Sequence, residues 1–525
     1  MKLTYSNIFV ASPFLIRLCL TRFGLTSLGL ARLSLIGLSL ISFVIYTCVD
    51  AKANNAANDI NSYQAQLESV DKAHQALTKS FYDELVKTPS LKAARFNTIE
   101  ALAQAVNQAL VNESKSESNN SVKAVALIIR NQSLLKRYYD SLETISLIKL
   151  LLDNNALINA TSLIKAIERQ GDDNVIGQLN YLLADFYFQR KKWSKVLSYL
   201  NDNDTDLPLE QHHHALLMKG VSLQQQSKHG LAIKAYEKIP ATAKHYTAAQ
   251  LNLAIANIRQ GWWTDGHQII KQLLASQETV AQEKTLNRLY ITLGYSLLNQ
   301  AYYRNARKTF QLVGLSSRYS NQALLGIALT AAYQDDYLGA LNASRFLKEK
   351  QQDDLPIDEA FLLMPFFYEK SQQLATASLG YSQAASYYQD KISALTQLID
   401  APINLASHPI VLSNGISNGV SNGVSNGVSN GVSMNINNMH IGFSANYPSY
   451  FFTQRHNAEQ LKSWQAQLNN PKLSQDLSSV MQEYDVLTVN MAKSIMHNRV
   501  AQLSSYLNQS RYGLARLYDN NTVAQ

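Results

Sequence analysis

Between about residues 175 and 390, apolar residues recur with the period of an α-helix, and a longer period is superimposed on it. A small residue is followed twelve positions later by another small residue, and a bulky residue comes four positions after that. The clearest copy has Gly294, Ala306 and Phe310 at these three places. Two antiparallel helices that cross closely need small side chains at the crossing point. The spacing therefore predicts helix pairs that stack on one another.

Six copies align, and their starts are 36, 34, 40, 34 and 37 residues apart. One pair cannot bury its apolar face alone, so neighbouring pairs must stack. A degenerate earlier copy is formed by Ile148, Ala160 and Ile164. The six copies start at Ala184, Gly220, Ala254, Gly294, Ala328 and Pro365.

The best copy resembles the tetratricopeptide repeat (TPR) family. It has the Leu-Gly pair at Leu293-Gly294, then Tyr295, Ala306 and Phe310, which match the family's Leu-Gly, aromatic, Ala and Phe positions. The resemblance implies an all-α fold, a helix-turn-helix superhelix (α-solenoid) whose concave face binds a protein or peptide. The chain departs from the family where the early Trp and closing Pro are mostly missing, and where Pro365 replaces a small residue.

The N-terminus carries a targeting pattern. Residues 33–49 are an uncharged apolar run, with four positive charges and no acidic residue before it. This length suits either a signal-peptide core or a short membrane-spanning helix. Ala51-Lys52-Ala53 offers a small-x-small cleavage site, so cleavage and retention as an anchor both stay open. In either case the positive residues stay in the cytoplasm and the remainder is exported.

The region after residue 400 changes character. Residues 413–432 are five copies of Ser-Asn-Gly-(Val/Ile), which favour turns and cannot form a helix. We interpret this run as a low-complexity linker, with a β-solenoid coil as the alternative. Helical character returns beyond it, with Tyr484, Leu487, Met491 and Ile495 on one face. That stripe packs either on the array or against a coiled-coil partner.

These patterns divide the chain into five segments. The first is a signal peptide or membrane anchor, and the second is a helical N-terminal cap or spacer. The TPR-like array, the linker and a C-terminal helical segment follow. The segments are residues 1–53, 54–150, 151–400, 401–450 and 451–525.

Composition narrows the functional classes. The 525-residue chain is 46% apolar and 16% charged, so most of it can fold. Half of the net charge of +8 lies in the first 53 residues, and the remainder has no dense basic run, which argues against nucleic acid as a partner. Both cysteines, Cys19 and Cys48, fall in the targeting segment, so the exported part has no disulfide.

The sequence offers little catalytic chemistry. His212-His213-His214 begins a repeat, and neighbouring helix residues point in different directions, so a solvated helix start is favoured over a zinc site. No metalloprotease, nucleophile-elbow or phosphate-loop motif is present. We therefore predict no enzyme activity and no catalytic, cofactor-binding or metal-binding residues.

Aromatic doublets are the candidate recognition residues. Two neighbours on a helix cannot both face one core, so one member of each doublet is expected at the surface. Tyr and Trp suit recognition because they bury a large area and carry a polar tip. Either they pack within and between helix pairs, or they help to line a binding groove. The candidate partner-binding residues are Trp262, Trp263, Tyr302 and Tyr303.

The sequence thus predicts a scaffold that binds a protein or peptide of the cell envelope. Binding would use grooves between successive first helices, with Asn, Gln and Tyr side chains offering hydrogen bonds. The resemblance extends to proteins of Gram-negative bacteria that assemble or organise envelope machinery. The expected location is the inner membrane facing the periplasm, through residues 33–49, or the periplasm after cleavage. The alternative is a structural or oligomerising spacer that acts through its C-terminal helix.

Overall fold

The structure is a computed structural model. It describes Tyr63 and residues 65–113, 121–200, 207–275, 283–350, 355–400, 457–458, 460–465 and 470–523. Every regular element in these ranges is a helix. The targeting segment, 1–53, and the Ser-Asn-Gly-(Val/Ile) run both lie outside the described residues. Among the helices that are described, none combines the length and the apolar character that crossing a membrane requires.

The N-terminal region holds five helices before the array begins. Segments rich in Ala, Gln and Leu near 61–87, 91–112 and 121–152 have helical character. The structure divides the third of them, because the chain turns after Arg130 and again before Leu142. The helices are α1 (65–85), α2 (Pro89–Lys92), α3 (Ile99–Glu113), α4 (Val122–Arg130) and α5 (Gln132–Leu135).

Helices α6 to α19 alternate between the first and second helices of successive hairpins, with the even-numbered helix first in each pair. The first four bounds are α6 (Leu142–Asp153), α7 (Leu157–Gln170), α8 (Asp173–Gln189) and α9 (Trp193–Tyr199). Next come α10 (Leu209–Gln225), α11 (His229–Glu237), α12 (Tyr246–Gln260), α13 (Trp263–Ala275) and α14 (Glu283–Asn299). The last are α15 (Tyr303–Gln311), α16 (Ser320–Ala332), α17 (Tyr337–Lys348), α18 (Leu355–Lys370) and α19 (Leu374–Asp400).

One turn geometry joins the two helices of every hairpin. Seven described residues have φ between +57° and +91°, and each follows the starting residue of its copy by seven positions. In six of the seven turns, the next amide donates to the carbonyl five residues earlier, at 2.8–3.0 Å. This is the Schellman arrangement that ends a helix. The seven residues are Asn155, Lys191, Ser227, Gly261, Ala301, Asp335 and Gln372.

The turn at Asn155 confirms the degenerate copy that starts at Ile148, so the array has seven hairpins within the described residues. The fifth regular copy differs, because the Asp336 side chain caps the next helix by accepting from the Gly339 amide at 2.9 Å. The sixth contains Pro365 inside α18, in place of a small residue.

The residues at which the two helices of each pair are predicted to cross are buried as expected. We call the residue that starts each copy, such as Gly294, its crossing residue. In the clearest copy, a Cβ added to Gly294 would lie 2.5 Å from the Phe310 ring. Gly326, on the first helix of the next copy, meets the same ring at 2.5 Å. Phe310 therefore fills the space between two successive first helices, and only glycine leaves room for it there.

The chain divides into two compact units. Of the described residues, those within 72–334 and 460–481 belong to the N-terminal unit, and those within 63–71, 335–400, 457–458 and 482–523 belong to the C-terminal unit. In the N-terminal unit, helix α20 (460–465) packs on α1, where Trp464 stacks on Phe81 with ring centroids 4.6 Å apart. Both rings are almost fully buried. A segment that is remote in sequence thus covers α1, the first helix of the described residues.

The last helix, α21 (Pro471–Val523), is 53 residues long. A buried stripe follows one face along it at intervals of three and four residues, as in a helix packed along its whole length. The predicted stripe residues Tyr484, Leu487, Met491 and Ile495 are all at most 6% exposed. The members beyond them are Arg499, Leu503, Tyr506, Ser510, Gly513 and Leu517.

Candidate functional site

Three ring side chains lie side by side on the first helices of the N-terminal unit. Tyr181 is on α8, His214 is on α10, and His245 immediately precedes α12. The Tyr181 hydroxyl lies 2.9 Å from His214 Nδ1. The His214 and His245 rings stack with centroids 4.8 Å apart. All three are half-buried, and we call them the ring row.

The repeat places these residues next to one another. Tyr181 comes three residues before the crossing residue of its copy, His214 comes six before, and His245 comes nine before. Each step along the array therefore shifts the ring by nearly one helical turn. A run of rings across successive first helices is what a repeat protein can offer to an extended partner.

The row is uncharged near neutral pH. Burial lowers the pKa of His214, and the charge of His245 acts in the same direction against an opposing effect of Asp185. Burial also lowers the pKa of His245, helped by Lys244. Burial raises the pKa of Tyr181 to about 12. Neutral imidazole carries one donor and one acceptor, so the row presents ring faces together with hydrogen-bonding groups.

The histidine cluster differs from the solvated helix start that the sequence predicted. His213 is buried at 7% exposure, and His214 is half-buried against Tyr181 and His245. The preceding first helix, α8, reaches across it, which local sequence could not indicate. Within the described ranges, no three His, Cys, Asp or Glu side chains are grouped to hold a metal ion.

The aromatic doublets occupy the hairpin turns. Trp262 and Tyr302 are 49% and 58% exposed and lie just before the second helices α13 and α15. Trp263 and Tyr303 begin those helices and are half-buried. Tyr303 stacks on Tyr333 with centroids 4.6 Å apart. One exposed member is thus confirmed for these two doublets, whereas Tyr387-Tyr388, inside α19, has none. The two candidate doublets lie at the turns, and their role in partner binding stays a prediction.

Three buried asparagines of the first helices hydrogen-bond within the array. Asn252 donates to the Ala248 carbonyl at 2.9 Å, and Asn257 donates to the Leu253 carbonyl at 3.0 Å. Asn287 accepts from the Gly314 amide at 3.1 Å. All three asparagines are at most 6% exposed. These three asparagines therefore stabilise the array itself, and the hydrogen bonds that other Asn, Gln and Tyr side chains would offer to a partner stay a prediction.

A small cleft lies in the C-terminal unit, between Tyr63 and α21. Its volume is about 300 Å³, and the Tyr63 hydroxyl donates to the Asn490 carbonyl across it at 3.4 Å. The lining is polar, without a buried group that points to a ligand. The remaining lining residues are Lys493, Ser494, His497 and Asn498.

Sequence reasoning missed the ring row because its members are 33 and 31 residues apart. The signal that could have identified them is the number of residues between each ring and the crossing residue of its own copy, which rises in steps of three from copy to copy. The doublets were visible because adjacent aromatics stand out in any reading of the sequence.

Comparisons with known proteins give only remote likenesses. No protein-family model matches the chain, and no curated protein matches it. One similar solved structure is the TPR domain of P58(IPK), at 15% identity and TM-score 0.20, over 62% of this chain and 93% of that one. Another is a circular tandem repeat protein with a novel repeat topology, at 10% identity and TM-score 0.13, over 88% and 99%. At such scores neither likeness carries weight, and the TPR-like assignment rests on the repeated turns and crossing residues.

Proposed function

We propose that the chain is a TPR-like scaffold that binds a protein or peptide segment across the first helices of its N-terminal unit. The observation that carries this proposal is the ring row, three half-buried rings on consecutive first helices. Rings with polar tips bury a large area on binding and lose little conformational freedom. A repeat array supplies the extended surface that such a segment needs.

Site-specific photocrosslinking in cells tests this proposal. A photoreactive residue at Tyr181 or His214 is expected to give an adduct of one discrete mass. The matched control is Leu231, which is 53% exposed on the second helix α11 and should give none. Adducts from Trp262 and Tyr302 alone would move the binding surface to the hairpin turns. No adduct at any of the four positions would refute the scaffold.

We further propose that this scaffold acts in the cell envelope, anchored by residues 33–49 or released after cleavage. The charge pattern before the apolar run and the site at Ala51-Lys52-Ala53 support export. N-terminal sequencing of the mature protein distinguishes the two forms, since a start at Asn54 would refute permanent anchoring. Crosslinked partners that are all cytosolic would refute export itself.

The alternative was a spacer that oligomerises through the C-terminal helix. That reading needs the apolar stripe of α21 to be free for a second chain. The stripe is buried within this chain, as Leu503, Tyr506 and Leu507 pack with α18 and α19. Binding through the array is therefore the better-supported function.

A further inference from the structure

The C-terminal unit contains a helix-binding surface that is already occupied. The surface lies on α18 and α19, and its key residues are Asp358, Glu359, Leu362, Glu369 and Tyr381; we call it the acceptor surface. Residues 482–523 of α21 are called the docked helix, and their contacts with this surface run from Arg499 to Leu517. The apolar part of the contact joins Leu362, Tyr381 and Tyr388 to Leu503, Tyr506, Leu507 and Leu517.

A buried ion pair fixes one end of the contact. Arg499 of the docked helix pairs with Asp358, and the two side chains are 6% and 0% exposed. Lys391 also reaches Asp358 at 2.9 Å, and the Tyr387 hydroxyl donates to the same carboxylate at 2.7 Å. A charge buried at this depth needs such partners. Removing Arg499 would thus take away part of what makes burial of Asp358 tolerable.

Further along, the docked helix meets two more carboxylates. The Tyr506 hydroxyl donates to Glu359 at 3.1 Å, in a contact that is almost fully buried. The Arg516 guanidinium lies 2.6 Å from Glu369, which also accepts from the Tyr381 hydroxyl at 3.0 Å. The acceptor surface is therefore acidic at three points, and each point is matched by a donor of the docked helix.

Gly513 completes the fit. A Cβ added there would lie 2.6 Å from the Tyr381 ring, so any larger residue must displace the ring. Arg499, Tyr506 and Gly513 are spaced by seven residues and share one helical face. The recognised pattern is a guanidinium, a phenol, a gap and a second guanidinium along one helix.

The chain between the two sides is long. Residues 401–456 separate α19 from the C-terminal segment, and they include the Ser-Asn-Gly-(Val/Ile) units. The docked contact is thus made by recognition between distant segments, without a short turn to impose it.

We infer that the acceptor surface is a helix-recognition site and that residues 482–523 are its tethered helical ligand, held by contacts that survive cutting of the intervening chain. A tether raises effective concentration but adds no contact. This interaction is separate from the ring row, and the failure of either leaves the other standing.

The test uses the full chain. A site for a specific protease replaces part of 413–432, and the protein is folded first and then cut. Hydrogen exchange is read on peptides that cover 499–517 before and after cutting, at about 1 μM. The cut is repeated in Trp464→Ala, which removes the stacking of Trp464 on Phe81 as a second contact that could hold the fragment. Unchanged protection is expected, and loss of protection on cutting would overturn the inference.

Variants test whether the stated pattern is what is recognised. Gly513→Phe should abolish protection of 499–517 after cutting, because the ring of Tyr381 blocks it. Arg516→Gln is milder, since Arg516 is partly exposed, and should speed exchange there by about tenfold. The matched control, Asn508→Gln, changes an exposed residue of the same helix and should have no effect. Equal effects of Asn508→Gln and Arg516→Gln would refute the recognised pattern.

An excess of a synthetic 482–523 peptide provides an independent measurement. Labelled peptide should replace the docked helix in the cut protein, and the same peptide with Gly513→Phe should not. Replacement by both peptides, or by neither, would contradict specific recognition.

Discussion

The same packing position is filled in two ways in this molecule. In the N-terminal unit, Phe310 lies against Gly326, sixteen residues further along the chain on the first helix of the next copy. In the C-terminal unit, Tyr381 lies against Gly513, on a helix far along the chain. The aromatic residue of a second helix therefore needs a neighbouring helix with a glycine opposite it. In the repeat array that neighbouring helix is the next one in sequence, but a helix from a distant part of the chain can take its place.

The aromatic–glycine contact also differs in polarity between the two units. The contact around Phe310 is made with Gly294, Gly326 and the ring of Tyr295. The contact around Tyr381 adds the carboxylates of Asp358, Glu359 and Glu369 with their donors. Neighbouring copies are placed next to each other by the short turn that connects them. A helix from a remote part of the chain has no such connection, so its side chains must distinguish the correct surface from the other helix surfaces of the array. Charged partners provide such selection because wrong pairings leave buried charges alone.

The largest expected effect comes from breaking this charged contact. Asp358→Asn leaves Arg499 and Lys391 without their shared carboxylate, and should destabilise the C-terminal unit by about 3–5 kcal/mol. Denaturant unfolding followed by hydrogen exchange in α18 and α19 measures the loss. The double variant Asp358→Asn with Arg499→Met should recover part of it. A double variant as unstable as the single one would show that the pair does not select the helix.

The two glycines provide a matched comparison. Gly326→Ala and Gly513→Ala each place a methyl group about 2.5 Å from an aromatic ring, so each should destabilise its own unit by about 1–3 kcal/mol. Gly230→Ala is the control, since a Cβ there meets nothing within 4 Å. The melting temperatures of the three variants, each compared with wild type, measure these losses. A much smaller loss for Gly513→Ala would mean that the remote helix can shift while the repeat cannot.

A smaller effect is expected at the turns. Ala301 has φ +61° and Gly261 has φ +91°, both in the left-handed region that disfavours side chains. Ala301→Gly should stabilise the protein and Gly261→Ala should destabilise it, each by about 1 kcal/mol. Midpoints of denaturant unfolding give both values. Shifts of the same sign would exclude turn strain as the cause.

The smallest effect concerns pH. Burial lowers the pKa of His214, His245, His229 and His267, so the unfolded chain binds protons more readily than the N-terminal unit does. Their contribution to stability is complete above the ordinary histidine pKa of about 6.5 and is lost as pH falls through the lower folded values. Melting temperatures measured from pH 8 to pH 5 should fall for wild type.

In His214→Gln with His245→Gln, the same decline should be shallower. His212→Gln serves as the control on the same helix. A decline that is equally steep in wild type and in the double variant would show that the ring row does not titrate with folding.

Much of the repeat could be read from the sequence. The crossing residues, the order of helices and the hairpin spacing follow from short-range chemistry, because small residues and helical periods are local. Even the turns are implied, since each lies at a fixed distance after its crossing residue. Only Gly261 among the seven described turn residues is a glycine. The residue types at the turns therefore do not by themselves predict where the turns lie.

The candidate sites were less accessible. The doublets were identified as surface aromatics, and Trp262 and Tyr302 are exposed as expected, but their position at the turns depends on how the pair folds. The ring row needs three first helices in register before Tyr181, His214 and His245 meet. The buried Asn252, Asn257 and Asn287 hydrogen-bond to backbone groups of the array, which depends on how the helices pack.

What the sequence by itself determined is the stack of helix pairs, since its period and its small residues are local properties of the chain. The apolar stripe of the last helix could also be predicted from the sequence, but the surface that covers it could not. Only the tertiary structure decided that Gly513 meets Tyr381 and that Trp464 covers Phe81. The physical reason is that these contacts join residues separated by more than a hundred positions, where complementary shape and charge decide the pairing and no local period can record it.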